Sequence, residues 1–306
     1  MRAVLIGAVE STATTFEALV EGGHPPIAVV SLEHSLARRH SDFVDLEPLA
    51  RSVDAQYIPV RSVNAPEIVA RISALQPEWI LVVGWSQIVH EPLLRAARMG
   101  AIGYHPSPLP ELRGRAVLAW TILLQREWTA GTLFRLEPTV DSGEILAQHR
   151  FSLDPRESLP TLMAKHMAAL RSMWRDLLPR LADGTATGVA QDPGRASYCA
   201  KRTAADGLID WTQDAVAVDR LVRAVAAPYP SAFTFRGEER LMIHEAEPWS
   251  GPRYFGLPGQ ILDIRDEAIL VACCLGQALL VRRWAWTGSD DAPRPLRIGE
   301  RLGGRG

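Results

Sequence analysis

Short apolar runs alternate with amphipathic or polar stretches from the first residues of the chain. Ala3 to Gly7 reads as a strand, Thr12 to Glu21 as a helix stopped by Gly22-Gly23, Ile27 to Ser31 as a strand and Asp45 to Ser52 as a helix. The rhythm continues with a strand at Tyr57 to Val60, a helix at Pro66 to Leu75, a strand at Trp79 to Val83 ending on Gly84, and a helix at Pro92 to Arg98. Ala101 and Ile102 open a further strand that ends on His105, where prolines at 106, 108 and 110 break the chain. Val117 to Gln125 is apolar and nearly unbroken, as suits a buried helix, and Gly131 to Leu136 is the next strand. Ile145 to Phe151 follows as an edge strand and Leu159 to Leu181 as a long helix. Repetition of this kind predicts an α/β domain: a Rossmann-like parallel sheet with helices on both faces.

The pattern changes after residue 182. Asp183 to Arg195 holds three glycines and a proline among small polar residues, as a linker does, and the linker is set at 183–203. Beyond it come a helix at Asp214 to Ala226 and strands at Ala232 to Phe235, Leu241 to Ala246, Gly259 to Ile264, Ala268 to Ala272 and Gln277 to Trp284. These predict a smaller, mainly antiparallel C-terminal domain of open-barrel type. The chain thus divides into a catalytic domain at 1–182, the linker, and a β-domain at 204–306.

Composition sets the outer limits. A chain of 306 residues, 47% hydrophobic and 22% charged, can bury a large core, and its length fits two domains. The opening MRAVLIGAVES reads as a first strand rather than a signal peptide, and no run approaches a membrane span, so the expected location is cytoplasmic. Cys199, Cys273 and Cys274 give neither a disulfide framework nor metal-ligand spacing. Gly7-Ala8-Val9-Glu10-Ser11 lacks the G-x-G-x-x-G that lets a pyrophosphate approach a helix N-terminus, which argues against NAD or FAD.

The candidate chemistry lies in the stretch from Gly100 to Gly143. His105 ends a strand, Asp141 sits on the turn after the next strand, and Arg113 and Arg115 lie on the loop between them. All can converge at the carboxyl edge of an open α/β sheet, where such sheets bind ligands. Two other loops reach that edge. Leu36 to Asp42 (LARRHSD) offers Arg38 and Arg39 as charged forks for an anionic substrate, and Gly84 to Val89 (GWSQIV) follows the fourth strand directly.

HPSPLPELRG, with DSG following so that Asp141 stands thirty-six positions after His105, resembles the signature of the N10-formyltetrahydrofolate-dependent formyltransferases. That family includes methionyl-tRNA, glycinamide ribonucleotide and sugar-nucleotide enzymes. AADGLIDWTQDAVAVDRLVRAVAAPYPSAFTF resembles the C-terminal module of its two-domain members, so the likeness covers nearly the whole chain. The resemblance implies N10-formyltetrahydrofolate as donor and a primary amine as acceptor. It assigns His105, Asp141 and Arg115 to catalysis. Trp85, Gln87, Ile88, Val89, Ser107 and Asp141 fall to the donor, and Arg38, Arg39, Tyr104 and Arg113 to the acceptor. One position departs: the family carries Asn-x-His where this chain has Gly103-Tyr104-His105. An oxyanion donor is worth ~3–4 kcal/mol of barrier, so Gly103 is expected to cost activity unless protonated His105, a backbone N–H, a water or the Tyr104 hydroxyl takes that role.

Charge bears on the acceptor. From Ala204 onward 12 Lys plus Arg stand against 14 Asp plus Glu, without clusters, whereas gripping a tRNA by its phosphates requires a basic face. The expected acceptor is therefore a small-molecule amine, and because the LARRHSD and GWSQI passages resemble the sugar-modifying members of the family, an amino-sugar nucleotide is foremost. Methionyl-tRNA is one alternative; a non-catalytic folate- or sugar-binding homologue, in view of Gly103, is the other. The expected partners are small molecules and, at most, a second copy of the chain, with no membrane.

Overall fold

The computed structural model describes residues 1–39, 42–287 and 295–303, and the side chains of 37–39 and 275 lie outside that description. The chain separates into two compact units. One comprises 1–117, 127–153 and 163–200; the other comprises 118–126, 154–162 and the residues from 201 onward.

The first unit is built on β1 (Ala3–Ile6), α1 (Glu10–Glu21), β2 (Ala28–Leu32), α2 (Glu47–Ser52), β3 (Gln56–Val60), α3 (Pro66–Ala74), β4 (Trp79–Val82), α4 (Glu91–Leu94) and β5 (Ala101–His105). Next come the two-residue β6 (Arg113–Gly114), α5 (Val117–Leu123), which belongs to the second unit from residue 118, β7 (Trp128–Arg135), β8 (Ile145–Ser152), α6 (Leu159–Ala182), which belongs to the first unit from Met163, and the short β9 (Tyr198–Cys199). Seven strands form one sheet in the order β3-β2-β1-β4-β5-β7-β8. The first five are parallel. β7 and β8 run antiparallel, with Ile102, Gly103, Tyr104 and His105 of β5 facing Arg135, Phe134, Leu133 and Thr132. The order reverses between β1 and β4, where an open α/β sheet leaves a crevice at the carboxyl ends of its strands.

Both faces of the parallel strands are covered, so their apolar runs are continuous and successive residues serve different cores. Ala3, Leu5, Val29, Leu81 and Ile102 pack with Phe16 and Leu19 of α1 and Leu170, Met173, Trp174 and Leu177 of α6. Val4, Ile6, Val30, Ile80 and Ala101 face the opposite way, toward Ile72 of α3 and Leu93 of α4. The Trp174 indole N–H donates to Thr15 Oγ1 at 3.0 Å, which satisfies the one polar atom of a fully buried side chain. Gly84 ends β4 with φ 67°, in the left-handed region, where the chain turns into the Trp85–Val89 loop.

The second unit holds α7 (Ala215–Ala224), capped by the Asp214 carboxylate accepting from Ala217 N–H at 2.6 Å. Its strands are β10 (Ala232–Arg236), β11 (Glu239–Pro248), β12 (Ile261–Arg265), β13 (Ala268–Ala272) and β14 (Ala278–Thr287), antiparallel in the order β10-β11-β14-β13-β12. Bridges from Gly303 to Phe235 and from Arg301 to Gln260 run along the two margins of this sheet, so the chain end lines what would otherwise be open edges. No described helix is long and apolar enough to cross a membrane.

Strand alternation puts Tyr104 on the face of β5 opposite His105. The Tyr104 hydroxyl lies 2.9 Å from Nδ1 of His166, a fully buried residue of α6 whose ring meets Phe151 edge-on at 4.9 Å. Burial, with a smaller contribution from nearby His105, pushes the His166 imidazole down to about 3. Burial also raises the Tyr104 hydroxyl above its ordinary value. Between about 6.5 and 3 the unfolded chain therefore binds a proton that folded His166 refuses. The stability contributed is complete above that window and is lost as pH falls through it. Denaturant titrations from pH 7 to pH 4 should show the wild type losing stability more steeply than His166→Gln; equal slopes would remove His166 as the source.

Candidate functional site

The candidate site is a cavity of about 510 Å³ at the carboxyl ends of β4 and β5. Its walls come from three stretches: the turn after β4 (Trp85 to Val89), β5 with the Gly114–Ala116 loop, and the run from Phe134 to Asp141. Val82, Leu94, Phe134 and Leu136 make it apolar at depth, while His105, Arg115, Glu137 and Asp141 bring charge. Such a combination of apolar walls with a few convergent polar groups is typical of small-molecule sites.

His105 has 7% of its side chain exposed and Asp141 16%, and His105 Nδ1 stands 3.6 Å from Asp141 Oδ2. On the other side of the ring, Nε2 is 2.8 Å from the Leu112 carbonyl. A carbonyl only accepts, so Nε2 carries a hydrogen and Nδ1 is the atom left for proton exchange. Asp141 is fixed in turn, because its Oδ2 accepts the Gly114 N–H at 2.8 Å.

Leu112, Gly114, Ala116 and Asp141 all have φ in the left-handed region, at 58°, 103°, 55° and 53°. A non-glycine residue costs roughly 1–2 kcal/mol there, so the surroundings have to over-determine the geometry. Gln191 supplies much of that restraint. Its amide N–H donates to the Asp141 carbonyl at 2.9 Å and the Gly143 carbonyl at 2.7 Å, and its oxygen accepts from the buried Arg113 guanidinium at 2.7 Å. Parallel pairing of Arg113 with Tyr198 and Gly114 with Cys199, together with the Ser197 hydroxyl accepting from Leu112 N–H at 2.9 Å, secures the other side of the loop.

The residues singled out in the sequence therefore separate by position. His105, Asp141, Arg115, Trp85, Gln87, Ile88 and Val89 line one cavity. Gln87 is also occupied structurally, donating to the Arg61 carbonyl at 2.8 Å and accepting from Val63 N–H at 3.2 Å. Arg113 lies outside the cavity lining and acts as a brace. Its guanidinium serves Gln191 and, at 3.3 Å, the Tyr198 hydroxyl. Ser107 is fully buried and donates to the Glu111 carbonyl at 2.7 Å, stabilising the proline turn from within. The Tyr104 side chain is committed to His166 on the other face. The backbone of Arg38 and Arg39 closes a 3-10 turn at His34–Arg39, and their side chains lie outside the described residues.

Sequence reading missed Gln191, Ser197, Phe134 and Leu136. The first two lie in the glycine- and proline-rich stretch that reads as linker. Phe134 stands directly across from Gly103 in the β5–β7 ladder, next to a register shift between Leu133 and Phe134 in the β7–β8 ladder. A Cβ on Gly103 would come within 2.7 Å of Leu136 Cδ2 and 3.1 Å of the Phe134 ring. The space beside Gly103 is filled by the cross-strand aromatic ring and its neighbour.

Two outcomes follow from these contacts. Gly103→Asn forces Leu136 and Phe134 aside and should destabilise the protein by about 1–3 kcal/mol in thermal or denaturant unfolding, with Leu136→Ala in the same chain recovering part of the loss. Gln191→Ala leaves the buried Arg113 and the Asp141 turn without their shared partner. It should cost about 1–3 kcal/mol in the same measurement.

Comparison with known proteins agrees with this arrangement. The model for formyl transferase matches residues 1–174, and that for the formyl transferase C-terminal domain matches residues 201–292. Among solved structures, HypX from Aquifex aeolicus in complex with tetrahydrofolic acid is 17% identical with a TM-score of 0.67, over 92% of this chain and 43% of that one. The present chain therefore spans less than half the length of HypX. The N-formyltransferase from Helicobacter canadensis in complex with folinic acid and dTDP-3-aminofucose is 13% identical with a TM-score of 0.68, over 92% of this chain and 99% of that one. Methionyl-tRNA formyltransferase from Clostridium thermocellum is 18% identical with a TM-score of 0.57, over 81% and 93%. At these identities the solved structures speak for the fold, while the family models span both units: the chain belongs to the formyl transferase family.

Proposed function

We propose that the chain transfers a formyl group from N10-formyltetrahydrofolate to a primary amine, foremost that of an amino-sugar nucleotide. The observation that carries the reading is the His105–Asp141 pair at 3.6 Å on the wall of the 510 Å³ cavity, within the matched family region. The donor fits the residues present. Apolar side chains line part of the cavity, and the Trp85 indole N–H is buried without a hydrogen-bond partner among the described residues, a donor that a heterocyclic acceptor would satisfy. Trp85, Ile88 and Val89 would hold the donor's ring system, and the donor supplies the activated formyl group.

The chain's own residues act on protons and position. His105 receives a proton at Nδ1 as the attacking amine becomes an amide, and Nε2 stays anchored to the Leu112 carbonyl so that the ring does not swing. Asp141 holds the ring's orientation and accepts from Nδ1–H once the proton has arrived, while its bond to Gly114 N–H keeps the carboxylate in place. Support for a sugar nucleotide comes from the ligand in the Helicobacter canadensis structure and from a C-terminal part without basic clusters.

The test is a titration of the protein with 5-formyltetrahydrofolate, a stable mimic of the donor, followed by turnover of N10-formyltetrahydrofolate with a set of amino-sugar nucleotides. Binding with turnover is the expected result; absence of folate binding would overturn the reading. His105→Ala and Asp141→Asn should each lose turnover by roughly 10²–10⁴-fold with folate affinity nearly unchanged, and near-normal rates in either would remove the assigned roles.

A further inference from the structure

The Asn that opens the Asn-x-His motif of the family resembled is Gly103 here, and a Cβ at that position would press on the Leu136 side chain at 2.7 Å and the Phe134 ring at 3.1 Å. Leu136 and Phe134 fill the space beside it. Yet formyl transfer builds negative charge on the formyl oxygen as the amine nitrogen bonds to the formyl carbon, and a low-dielectric cavity requires a donor to meet that charge.

Most other donors near the cavity are already committed, and the unpartnered Trp85 N–H is assigned above to the folate ring system. His105 Nε2 is given to the Leu112 carbonyl, and the Tyr104 hydroxyl pairs with His166 across the sheet. The Gly114 N–H goes to Asp141, the Arg115 N–H to the Cys199 carbonyl, and the Gln87 amide to the Arg61 carbonyl. Arg113 is buried and spent on Gln191 and Tyr198. Arg115 differs from these groups. It lines the same cavity as Gly103, His105 and Asp141, it is exposed, and its guanidinium has no hydrogen-bond or ion-pair partner among the described residues. Its backbone is held between Gly114 at φ 103° and Ala116 at φ 55°, both in the left-handed region. The loop is therefore fixed while the side chain is free.

We propose that the Arg115 guanidinium is the catalytic electrophile of this site, donating to the formyl oxygen in the role that an amide at position 103 would play. The inference rests on the formyl-transfer reading above. In the balanced step the amine nitrogen forms a bond to the formyl carbon and loses one proton to His105 Nδ1. Arg115 N–H groups hold the oxygen as it becomes anionic. The carbon–N10 bond then breaks as the carbonyl re-forms, and N10 takes back one proton, leaving an N-formylated amine and tetrahydrofolate. Arg115 keeps its charge throughout and transfers no proton.

Folate binding by the wild type is measured first, with 5-formyltetrahydrofolate. Formyl transfer from N10-formyltetrahydrofolate to hydroxylamine, a small amine acceptor that needs no recognition pocket, is then measured for wild type, Arg115→Ala and Arg115→Lys. The expected result is a roughly 10²–10³-fold fall in kcat for Arg115→Ala with little change in folate affinity, partial recovery in Arg115→Lys, and rescue of Arg115→Ala by added guanidinium ion at low millimolar concentration. A kcat within threefold of wild type, or a loss confined to KM, overturns the proposal and leaves the transfer reading standing. Folate binding without acceleration in the wild type overturns the role of Arg115 while donor binding stands; no folate binding overturns both. Because Arg115 is exposed, Arg115→Ala is expected to fold, and an unchanged unfolding transition establishes that the loss is chemical.

Discussion

One carboxylate ties the site together. Asp141 Oδ2 accepts the Gly114 N–H at 2.8 Å and faces His105 Nδ1 at 3.6 Å, so the turn after β7, the loop after β5 and the His105 ring meet at a single oxygen. Apart from the end of β5 and the two-residue β6 these stretches are irregular, and four of their residues sit in the left-handed region. Conformations of that kind persist only where neighbouring bonds outweigh their cost. Here the buried Arg113–Gln191 pair supplies them: Gln191 spans the two carbonyls flanking the turn and passes the load to Arg113, itself in the same loop as Gly114. Arg113 contributes more as an internal brace than a solvated charge would, because its partners are fixed and it pays no further ordering on ligand binding.

This division of labour explains what the sequence made legible. The sheet and its helices were readable because burial on both faces demands long apolar runs, and glycine and proline mark where they stop. The pairing of His105 with Asp141 followed from the motif spacing and not from strand order: β7 runs antiparallel to β5 and ends beside Ile102, and the chain from Leu136 to Asp141 returns along the cavity wall to reach His105. The roles of Arg113, Ser107 and Tyr104 were not, since polarity alone does not say whether a side chain meets a ligand or a carbonyl. Strand period settles Tyr104: alternation carries it to the α6 face, where His166 meets its hydroxyl. Gln191 was hidden for a different reason. It lies 78 residues from Arg113 in a stretch whose composition reads as connector, and nothing local marks a glutamine there as the partner of a buried guanidinium.

The antiparallel turn of β7 was also outside a reading based on repetition, and it shapes the chemistry. Because β7 runs back along β5, Phe134 falls directly opposite Gly103 and its ring covers the glycine. A glycine in a strand interior weakens the strand unless a neighbour packs into the vacated space. Phe134 and Leu136 do so, which makes Gly103 part of a packed wall in the central ladder.

In the role proposed for it, Arg115 donates from an exposed loop side chain and not from the strand, which sets when the site becomes complete. A strand-borne amide is pre-organised; an exposed arginine carries about 2 kcal/mol of rotamer entropy that has to be lost before it can hold an oxygen. That loss is offset only when a ligand fills the cavity, excludes water and gives the guanidinium a fixed partner. The Gly114 and Ala116 conformations limit the search by holding the Arg115 backbone at the rim, so the ordering falls on side-chain torsions alone. A site arranged this way spends part of its binding energy on completing itself, and it is completed in full only by a ligand that both occupies the apolar depth and brings an oxygen within reach of the rim.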